Sequence, residues 1–345
     1  MGGKILVLVS NWIGDCVMSI AALKELWRLN PDSRLILAGH SWVTDLFEGQ
    51  DFVDQTITWD QNSYWSNFRA ETKALRGSDY VLLFPNSFSS ALSSFLARVP
   101  VRSGYQTDGR SFLLTNLAKP RTKKLGLHQA FYYLDLIHQL GFSETDYLTC
   151  PNYIPDITLR APVPGVQEAK RLLKEAGINH NDPLVVLSPG AAFGPAKRWF
   201  LDRYAAVADL LVGQERAQIL VVGTRQERQL TDHVVQKMNR KAHNLSGKTT
   251  LATLMGILSQ SDLLLTNDSG PMHLAAALNR PQVALFGSTD EIATGPLCEN
   301  SIVIHKHVKC SPCLLRKCPI DLRCFDQITI QEVFEAARLL LSSRA

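Results

Sequence analysis

The sequence predicts an α/β protein made of two doubly wound domains, each a parallel sheet covered by helices. The chain has 345 residues, which is more than one hydrophobic core usually holds, so we expect two domains. Short runs of aliphatic and β-branched residues alternate with segments of helical periodicity, which is typical of parallel sheets. A proline-rich passage at 150–165 interrupts this alternation once, as an interdomain linker does.

The predicted elements follow this alternation. Strands are expected at 4–10, 34–38, 55–58, 80–84, 184–188, 218–222, 262–266 and 282–286. Helices are expected near 17–29, 41–48, 65–75, 87–97, 202–213, 225–239, 250–260 and 271–278. We assign 1–165 to an N-terminal domain, 166–327 to a C-terminal domain and 328–345 to a final helix, for which packing back on the N-terminal domain is one possibility. Ligands of such Rossmann-like sheets bind at the carboxyl ends of the strands, so we expect the two domains to face each other across a cleft.

Composition excludes several classes of protein. The balance of 36 Lys and Arg against 32 Asp and Glu gives a net charge of +4, which suits an anionic substrate or membrane surface but is too weak to indicate nucleic acid. The apolar run Ile5–Val9 is too short for a signal peptide or a spanning helix, so we expect a cytoplasmic protein. Seven cysteines, an odd number, favour free thiols in a reducing compartment.

The segment 266–278 joins a predicted strand to a predicted helix through small polar residues. Asp268, Ser269 or Gly270 can cap the helix, and that interpretation is complete in itself. Alternatively, the first backbone N–H groups of the helix bind a diphosphate at Ser269 and Gly270, helped by the helix dipole. Asp268 then suits neutral sugar hydroxyls, and His273 either donates to a phosphate oxygen or is structural.

Two further strand ends in the second half have the same character. After the strand at 184–188, small residues at Gly190 and Ala191 permit close backbone approach, and Lys197 supplies a mobile positive charge for a phosphate. Another strand ends at Gly223, and Glu227 there can accept both hydroxyls of a ribose. Taken alone, these features also fit an ordinary turn and an exposed helix start. No G-x-G-x-x-G follows any strand, so a nicotinamide dinucleotide site lacks its fingerprint.

The N-terminal half offers matching candidates. Asp15 follows a glycine turn after the first strand, where a carboxylate can remove a proton from an attacking hydroxyl; alternatively, it caps a helix that begins near Cys16. Asn86 and Ser87 follow the fourth strand and present an amide and a hydroxyl suited to a carbohydrate. Alternatively, Ser87 only marks the start of a helix.

Together these blocks resemble the lipopolysaccharide heptosyltransferases of glycosyltransferase family 9, and most closely the heptosyltransferase II group. The blocks that carry the resemblance are 11–15, 85–88, 189–191, 193–199 and 266–273. The family has the two-domain GT-B fold. The resemblance implies transfer, with inversion, of L-glycero-D-manno-heptose from ADP-heptose to the first heptose of the lipopolysaccharide inner core.

The resemblance also implies roles for individual residues. On the family's pattern Asp15 is the general base and Lys197 neutralises the leaving diphosphate. Asp268 holds the donor heptose, Ser269 and Gly270 bind phosphate through their amides, and Glu227 binds the ribose. One base and one electrophilic clamp suffice for inversion in a single displacement, so neither a metal nor another cofactor is required. The expected location is the cytoplasm, peripheral to the inner leaflet of the inner membrane.

Two features of the sequence bear on which acceptor molecule receives the heptose. Four cysteines, Cys310, Cys313, Cys318 and Cys324, depart from the best-known members and either bind zinc or iron or are plain thiols. A cysteine-liganded iron motif belongs to related enzymes that modify proteins, so a protein acceptor is one alternative and an inactive nucleotide-sugar-binding regulator is another. A basic stretch is either solvated surface or a docking surface for the anionic glycolipid. It comprises Arg110, Lys119, Arg121, Lys123 and Lys124.

Overall fold

A computed structural model describes residues 3–60, 63–179 and 181–342, apart from the side chain of Lys123. The chain divides into two compact units, Met1–Ile157 and Thr158–Ala345, and each has its own parallel sheet. The unit boundary precedes the predicted one at 165, because helix α8 (Val163–Glu175) already starts within the proline-rich passage. Within the described residues, no helix combines the length and apolar character needed to cross a membrane.

Unit 1 contains six strands and seven helices within its described residues. The strands are β1 (Lys4–Leu8), β2 (Arg34–His40), β3 (Gln55–Trp59), β4 (Tyr80–Leu83), β5 (Val101–Tyr105) and β6 (Asn116–Ala118). The helices are α1 (Ile13–Met18), α2 (Ile20–Leu29), α3 (Trp42–Phe47), α4 (Tyr64–Leu75), α5 (Phe88–Leu96), α6 (Thr122–Leu125) and α7 (Gln129–Gln139). The strand order is β3-β2-β1-β4-β5-β6 and every pairing is parallel.

Unit 2 repeats this architecture after helix α8. Its strands are β7 (Leu184–Ser188), β8 (Gln218–Val221), β9 (Ala242–Asn244), β10 (Leu263–Asn267), β11 (Gln282–Phe286) and β12 (Ser301–His305). Its further helices are α9 (Leu201–Glu215), α10 (Arg228–Lys237), α11 (Leu251–Leu258), α12 (Gly270–Ala277), α13 (Glu291–Thr294), α14 (Arg323–Asp326) and α15 (Ile330–Ser342). The order β12-β11-β10-β7-β8-β9 is again fully parallel.

Both sheets have the doubly wound order, which confirms the predicted fold class. The chain direction across the sheet reverses between β1 and β4 in unit 1 and between β7 and β10 in unit 2. In such sheets ligands bind outside the carboxyl ends of the strands at this reversal. The loops at these positions are therefore the ones that follow β1 and β4, and β7 and β10.

The central strands form because they are apolar on both faces. All five residues of β7, of β10 and of β11 are buried, as parallel strands covered by helices on both sides require. Helix α12 between β10 and β11 is buried from Met272 to Ala277, so its short apolar residues pack directly on the sheet.

Several elements were not predicted. Strands β5, β6, β9 and β12 and helix α7 have no counterpart in the sequence analysis. Strands β6 and β9 contain three residues each, and β5 contains Arg102, Ser103 and Gly104, so neither length nor apolar pattern indicates a strand. The helix predicted at 17–29 is two helices, which meet at Ser19.

The final helix belongs to the core of unit 2. Residues Val333, Phe334, Ala337 and Leu341 of α15 are buried in the same apolar cluster as the inner residues of α9 and β10. Their spacing places them on one face of the helix. The segment predicted as a separate element at 328–345 is thus a layer of the C-terminal unit.

Candidate functional site

The loops after β7 and β10 are joined by one fully buried side chain, Asn267. Its amide nitrogen donates to the carbonyl oxygens of Pro189 at 2.8 Å and Gly190 at 3.3 Å. Its amide oxygen accepts from the backbone N–H of Trp199 and from the hydroxyl of Tyr204, both at 3.0 Å. A buried amide with all these partners fixes the two loops against each other at the reversal point of the sheet.

Lys197 and Asp268 form an ion pair beside this amide. Lys197 Nζ donates to Asp268 Oδ2 at 2.6 Å, and the side chains are 15% and 3% exposed. The same carboxylate oxygen accepts from the hydroxyl of Thr289 at 2.6 Å. The predicted phosphate-binding and sugar-binding residues therefore contact each other directly, and Thr289 adds a third loop, the one after β11.

The predicted nucleotide-binding residues of the β7 and β8 loops also come together. A Cβ atom added at Gly190 would lie 2.1 Å from Glu227 Oε1, so the carboxylate occupies the space that the glycine leaves. The other oxygen of Glu227 accepts from the backbone N–H and the hydroxyl of Thr224, both at 2.9 Å, in a capping box. Gly223 lies against the Glu227 side chain, and the carbonyl of Ala191 accepts from Arg198 at 3.0 Å.

The start of α12 differs from an ordinary capped helix. Ser269 is the N-cap residue, yet its side chain makes no capping hydrogen bond and instead lies 3.1 Å from the hydroxyl oxygen of Thr266. Gly270 is the first helical residue and is partly exposed, whereas His273, one turn further on, is 4% exposed. Ser269 therefore occupies the N-cap position of α12, as the capping interpretation predicts, but its side chain does not cap the helix.

In unit 1, Asp15 lies in the first turn of α1. The helix begins at Ile13 and its N-cap residue is Trp12, so the alternative that Asp15 caps a helix starting near Cys16 is wrong. Burial raises the pKa of the Cys16 thiol and of the Tyr133 hydroxyl, and the negative charge of Asp15 raises both further. Asp15 is half-buried, and its negative charge lies near the buried Cys16 and Tyr133 side chains.

The loop after β4 is held by an arginine. Arg110 is fully buried and donates to the carbonyl oxygens of Pro85 at 2.5 Å and Ser87 at 3.3 Å. Asn86 Oδ1 accepts from the hydroxyl of Tyr132 at 3.0 Å. Burial among these neutral groups lowers the pKa of Arg110 to about 10. Ser87 itself caps α5, because its hydroxyl oxygen accepts a hydrogen bond from the backbone N–H of Ser90 in the first turn at 3.3 Å.

The basic stretch is not a continuous surface. Arg110 lies in the interior, and Arg121 forms ion pairs with Asp135 at 2.6 Å and Asp146 at 2.9 Å. Interpreting all five residues as solvated surface or as one docking surface is therefore wrong. Lys119 and Lys124 are exposed, and the side chain of Lys123 lies outside the described part of the chain.

The four clustered cysteines line one small internal cavity of about 20 Å³, together with Ala196. Cys310 is exposed and Cys324 is buried. Among the described residues, the group of three ligand atoms within 4.8 Å of one another is that of Glu291, His305 and His307, and no three cysteine sulfurs meet this distance. Sulfurs that share one tetrahedral zinc ion lie closer together than this, so the described positions of the cysteines are not those of ligands to a single zinc ion.

Sequence reasoning missed Asn267 and Thr289 as parts of the candidate site. Thr289 had a usable signal, because the segment 287–290 after β11 has the same small polar character as the other strand ends. Asn267 had none beyond its place at a strand end.

Comparisons with known proteins identify the family of this chain. Residues 68–323 match the profile of glycosyltransferase family 9 (heptosyltransferase). Lipooligosaccharide heptosyltransferase 2 of Haemophilus ducreyi is 30% identical over 311 residues, which cover 87% of this chain and 88% of that protein. Lipopolysaccharide heptosyltransferase 2 of Escherichia coli K12 is 29% identical over 311 residues, 87% of each chain.

A solved structure extends the likeness to the whole fold. The structure of E. coli ADP-heptose lps heptosyltransferase II matches with a TM-score of 0.82 and 28% identity, covering 99% of each chain. These likenesses confirm the resemblance found in the sequence blocks. The chain belongs to glycosyltransferase family 9, the heptosyltransferases.

Proposed function

We propose that this protein transfers L-glycero-D-manno-heptose from ADP-heptose to the first heptose of the lipopolysaccharide inner core, with inversion. The observation that carries this proposal is that relatives named for this type of transfer match 87% or more of the chain. The E. coli structure with the same fold is named for ADP-heptose. The arrangement in unit 2 supports the donor: a lysine, an aspartate and small residues lie at the strand ends where nucleotides bind in such sheets.

In this proposal Lys197 and Asp268 exchange partners when the donor binds. Their ion pair in the free protein holds the lysine in place, so Nζ needs only a small movement to reach the diphosphate. Asp268 then accepts from hydroxyls of the heptose while Thr289 keeps the carboxylate oriented. Ser269 and Gly270 offer backbone N–H groups to phosphate, and the positive end of the α12 dipole adds to the attraction.

Glu227 is proposed to bind the ribose; Gly190 makes room for its carboxylate, and Gly190, Ala191 and Gly223 are proposed to let the backbone approach the nucleotide closely. The capping box already fixes one carboxylate oxygen of Glu227. The other oxygen lies over Gly190, where any side chain would collide with it. His273, being buried, is proposed to support the start of α12 and to donate toward the phosphate side.

Asp15 is the proposed general base. It takes the proton of the acceptor hydroxyl as that oxygen attacks the anomeric carbon, while the bond to ADP breaks on the opposite side. Asn86 and Ser87 are proposed to contact the acceptor sugar, presented on a loop that Arg110 holds rigid. No step in this scheme needs a metal or another cofactor.

The acceptor is a lipid, so we propose peripheral association with the inner leaflet of the inner membrane. Arg110 and Arg121 already make hydrogen bonds and ion pairs within unit 1. We therefore propose that exposed lysines, such as Lys119 and Lys124, attract the anionic glycolipid. Sedimentation with anionic vesicles at low and high salt tests this: binding that salt does not weaken contradicts it.

The decisive experiment measures ADP release from ADP-heptose with and without heptosyl-Kdo2-lipid A. Release that depends on this acceptor supports the proposal. Release that requires a protein acceptor instead identifies a protein heptosyltransferase. Tight ADP binding without turnover on any acceptor identifies a regulator.

A further inference from the structure

The proposed donor site brings one lysine side chain to a ligand that carries two negative charges. A nucleoside diphosphate ester brings two negative charges to the site. Lys197 is the one cation assigned to them, and its charge is compensated by Asp268 at 2.6 Å. Glu227 adds a further negative charge nearby. A second cation beside Lys197 would offset more of the desolvation cost of the diphosphate than the lysine and the α12 amides do alone.

The side chain of Phe193 identifies where a second cation lies. Lys197 Nζ is 4.9 Å from the centre of its ring, and the guanidinium carbon of Arg316 is 5.3 Å from the same centre. The two cations are thus held near each other by contact with one aromatic ring.

Backbone contacts fix Arg316 next to the lysine. The carbonyl oxygen of Arg316 accepts from the N–H of Ala196 at 3.1 Å. A Cβ atom at Gly194 would lie 2.4 Å from that carbonyl oxygen, so only glycine permits this approach. In the same loop, which carries Cys310, Cys313 and Cys318, the N–H of Leu314 donates to the carbonyl of Ser288 at 2.7 Å. The loop is therefore anchored both to the Lys197 segment and to the loop that carries Thr289.

The guanidinium of Arg316 is available for a ligand. The residue is exposed, and within the described parts of the chain no carboxylate lies at ion-pair distance from it. Arg323, nearby in sequence, is paired with Asp321 at 3.0 Å. An arginine held by its backbone and by stacking, with its donors unpaired, matches the requirements of phosphate recognition.

We propose that Arg316 and Lys197 form one anion subsite, built around Phe193, that takes the diphosphate of the nucleotide-sugar donor. This inference rests on the proposed function and adds a binding residue to it. As the bond between the anomeric carbon and the diphosphate oxygen breaks, its electron pair stays on ADP, and Arg316 stabilises that charge. The acceptor oxygen forms the new bond to the anomeric carbon and its proton passes to Asp15.

Calorimetric titration of ADP, AMP and adenosine against Arg316→Gln, Arg316→Lys and Lys317→Gln tests the subsite. Lys317 is the exposed neighbour on the same loop, so its variant controls for the loss of one positive charge. For Arg316→Gln we expect ADP to bind roughly ten- to a hundredfold more weakly than to the wild type. The affinity for AMP should fall less, and the affinity for adenosine should not change. Arg316→Lys should recover part of the loss, and Lys317→Gln should change ADP binding by less than about twofold.

A purely structural role for Arg316 gives a different pattern. If Arg316 acted only by stacking on Phe193, Arg316→Gln would not weaken ADP binding further in a protein that already carries Phe193→Leu. That result would overturn the proposed subsite. It would equally be overturned if Arg316→Gln and Lys317→Gln bound ADP alike. If the wild type binds ADP through Arg316 yet transfers no heptose, the subsite stands and the proposed function fails.

Discussion

Asn267 and Trp199, 68 positions apart in sequence, are joined by a hydrogen bond of 3.0 Å from the backbone N–H of Trp199 to the side-chain oxygen of Asn267. The same amide reaches the carbonyl of Pro189 at 2.8 Å. One side chain thus sets the spacing between the loop that carries Lys197 and the loop that carries Asp268. The ion pair in the site depends on this spacing.

Replacing Asn267 with alanine should therefore destabilise unit 2 and disturb the site together. The change leaves the N–H of Trp199 and the hydroxyl of Tyr204 buried without a partner, each costing about 1–3 kcal/mol in the free energy of unfolding. Urea unfolding measures this loss, and ADP titration measures the effect on the site. Tyr204→Phe, which removes only one of these bonds, should cost about 0.5–1.5 kcal/mol. Equal losses in the two variants would contradict a central role for Asn267.

Variants of the Lys197–Asp268 ion pair should separate its effect on the free energy of unfolding from its effect on activity. Lys197→Met leaves the 3% exposed Asp268 charge without its partner, so unfolding free energy should fall by up to about 3–5 kcal/mol. The double variant Lys197→Met/Asp268→Asn removes both charges and should regain most of that stability, while activity stays lost. A double-mutant cycle from urea unfolding checks the first part, and ADP release checks the second. A double variant as unstable as the worse single variant would contradict the prediction.

Asp15→Asn tests the proposed base. The substitution keeps size and hydrogen-bonding capacity but removes the basic oxygen, so kcat should fall by ~10²–10⁴-fold. ADP affinity should not change, since the nucleotide-binding residues are all in unit 2. Asp32→Asn, at an exposed position in the same unit, is the matched control and should keep wild-type turnover. A fall in kcat of less than tenfold for Asp15→Asn would exclude it as the base.

Glu71 predicts a pH dependence of stability outside the site. Burial raises the pKa of this carboxyl, although Ser93 donates a hydrogen bond to it. The folded state therefore keeps the proton above pH 4.5, where the unfolded state has lost it, so stability falls as pH rises from about 4.5 to the raised pKa. Glu71→Gln should match the wild type near pH 4 and be more stable at pH 7, as measured by urea unfolding across this range.

The matched control for that prediction is the exposed Glu48. Glu48→Gln removes one negative charge from the same unit without relieving burial, so its difference from wild type should be small and nearly independent of pH. If the two variants showed the same pH profile, the effect would come from net charge and not from the buried position of Glu71.

Local sequence pattern was enough to predict the fold class and to place the candidate site residues in loops that follow strands. Buried strands such as β7 and β10 appear as apolar runs, and the small residues that follow them mark the ends where a parallel sheet binds ligands. The short strands β6 and β9 were missed, because three residues carry no period and form only by pairing with a longer neighbour.

The sequence by itself determined the longer apolar strands and most of the longer helices, and it placed Lys197, Asp268 and Glu227 in loops that follow strands, because these properties depend on neighbouring residues. Tertiary structure alone decided that Lys197 pairs with Asp268, that Arg110 is buried and that Arg316 stacks on Phe193. The reason is physical: a charged residue has the same local pattern whether it is solvated or buried, and only the packing of distant segments supplies the partners that offset its desolvation.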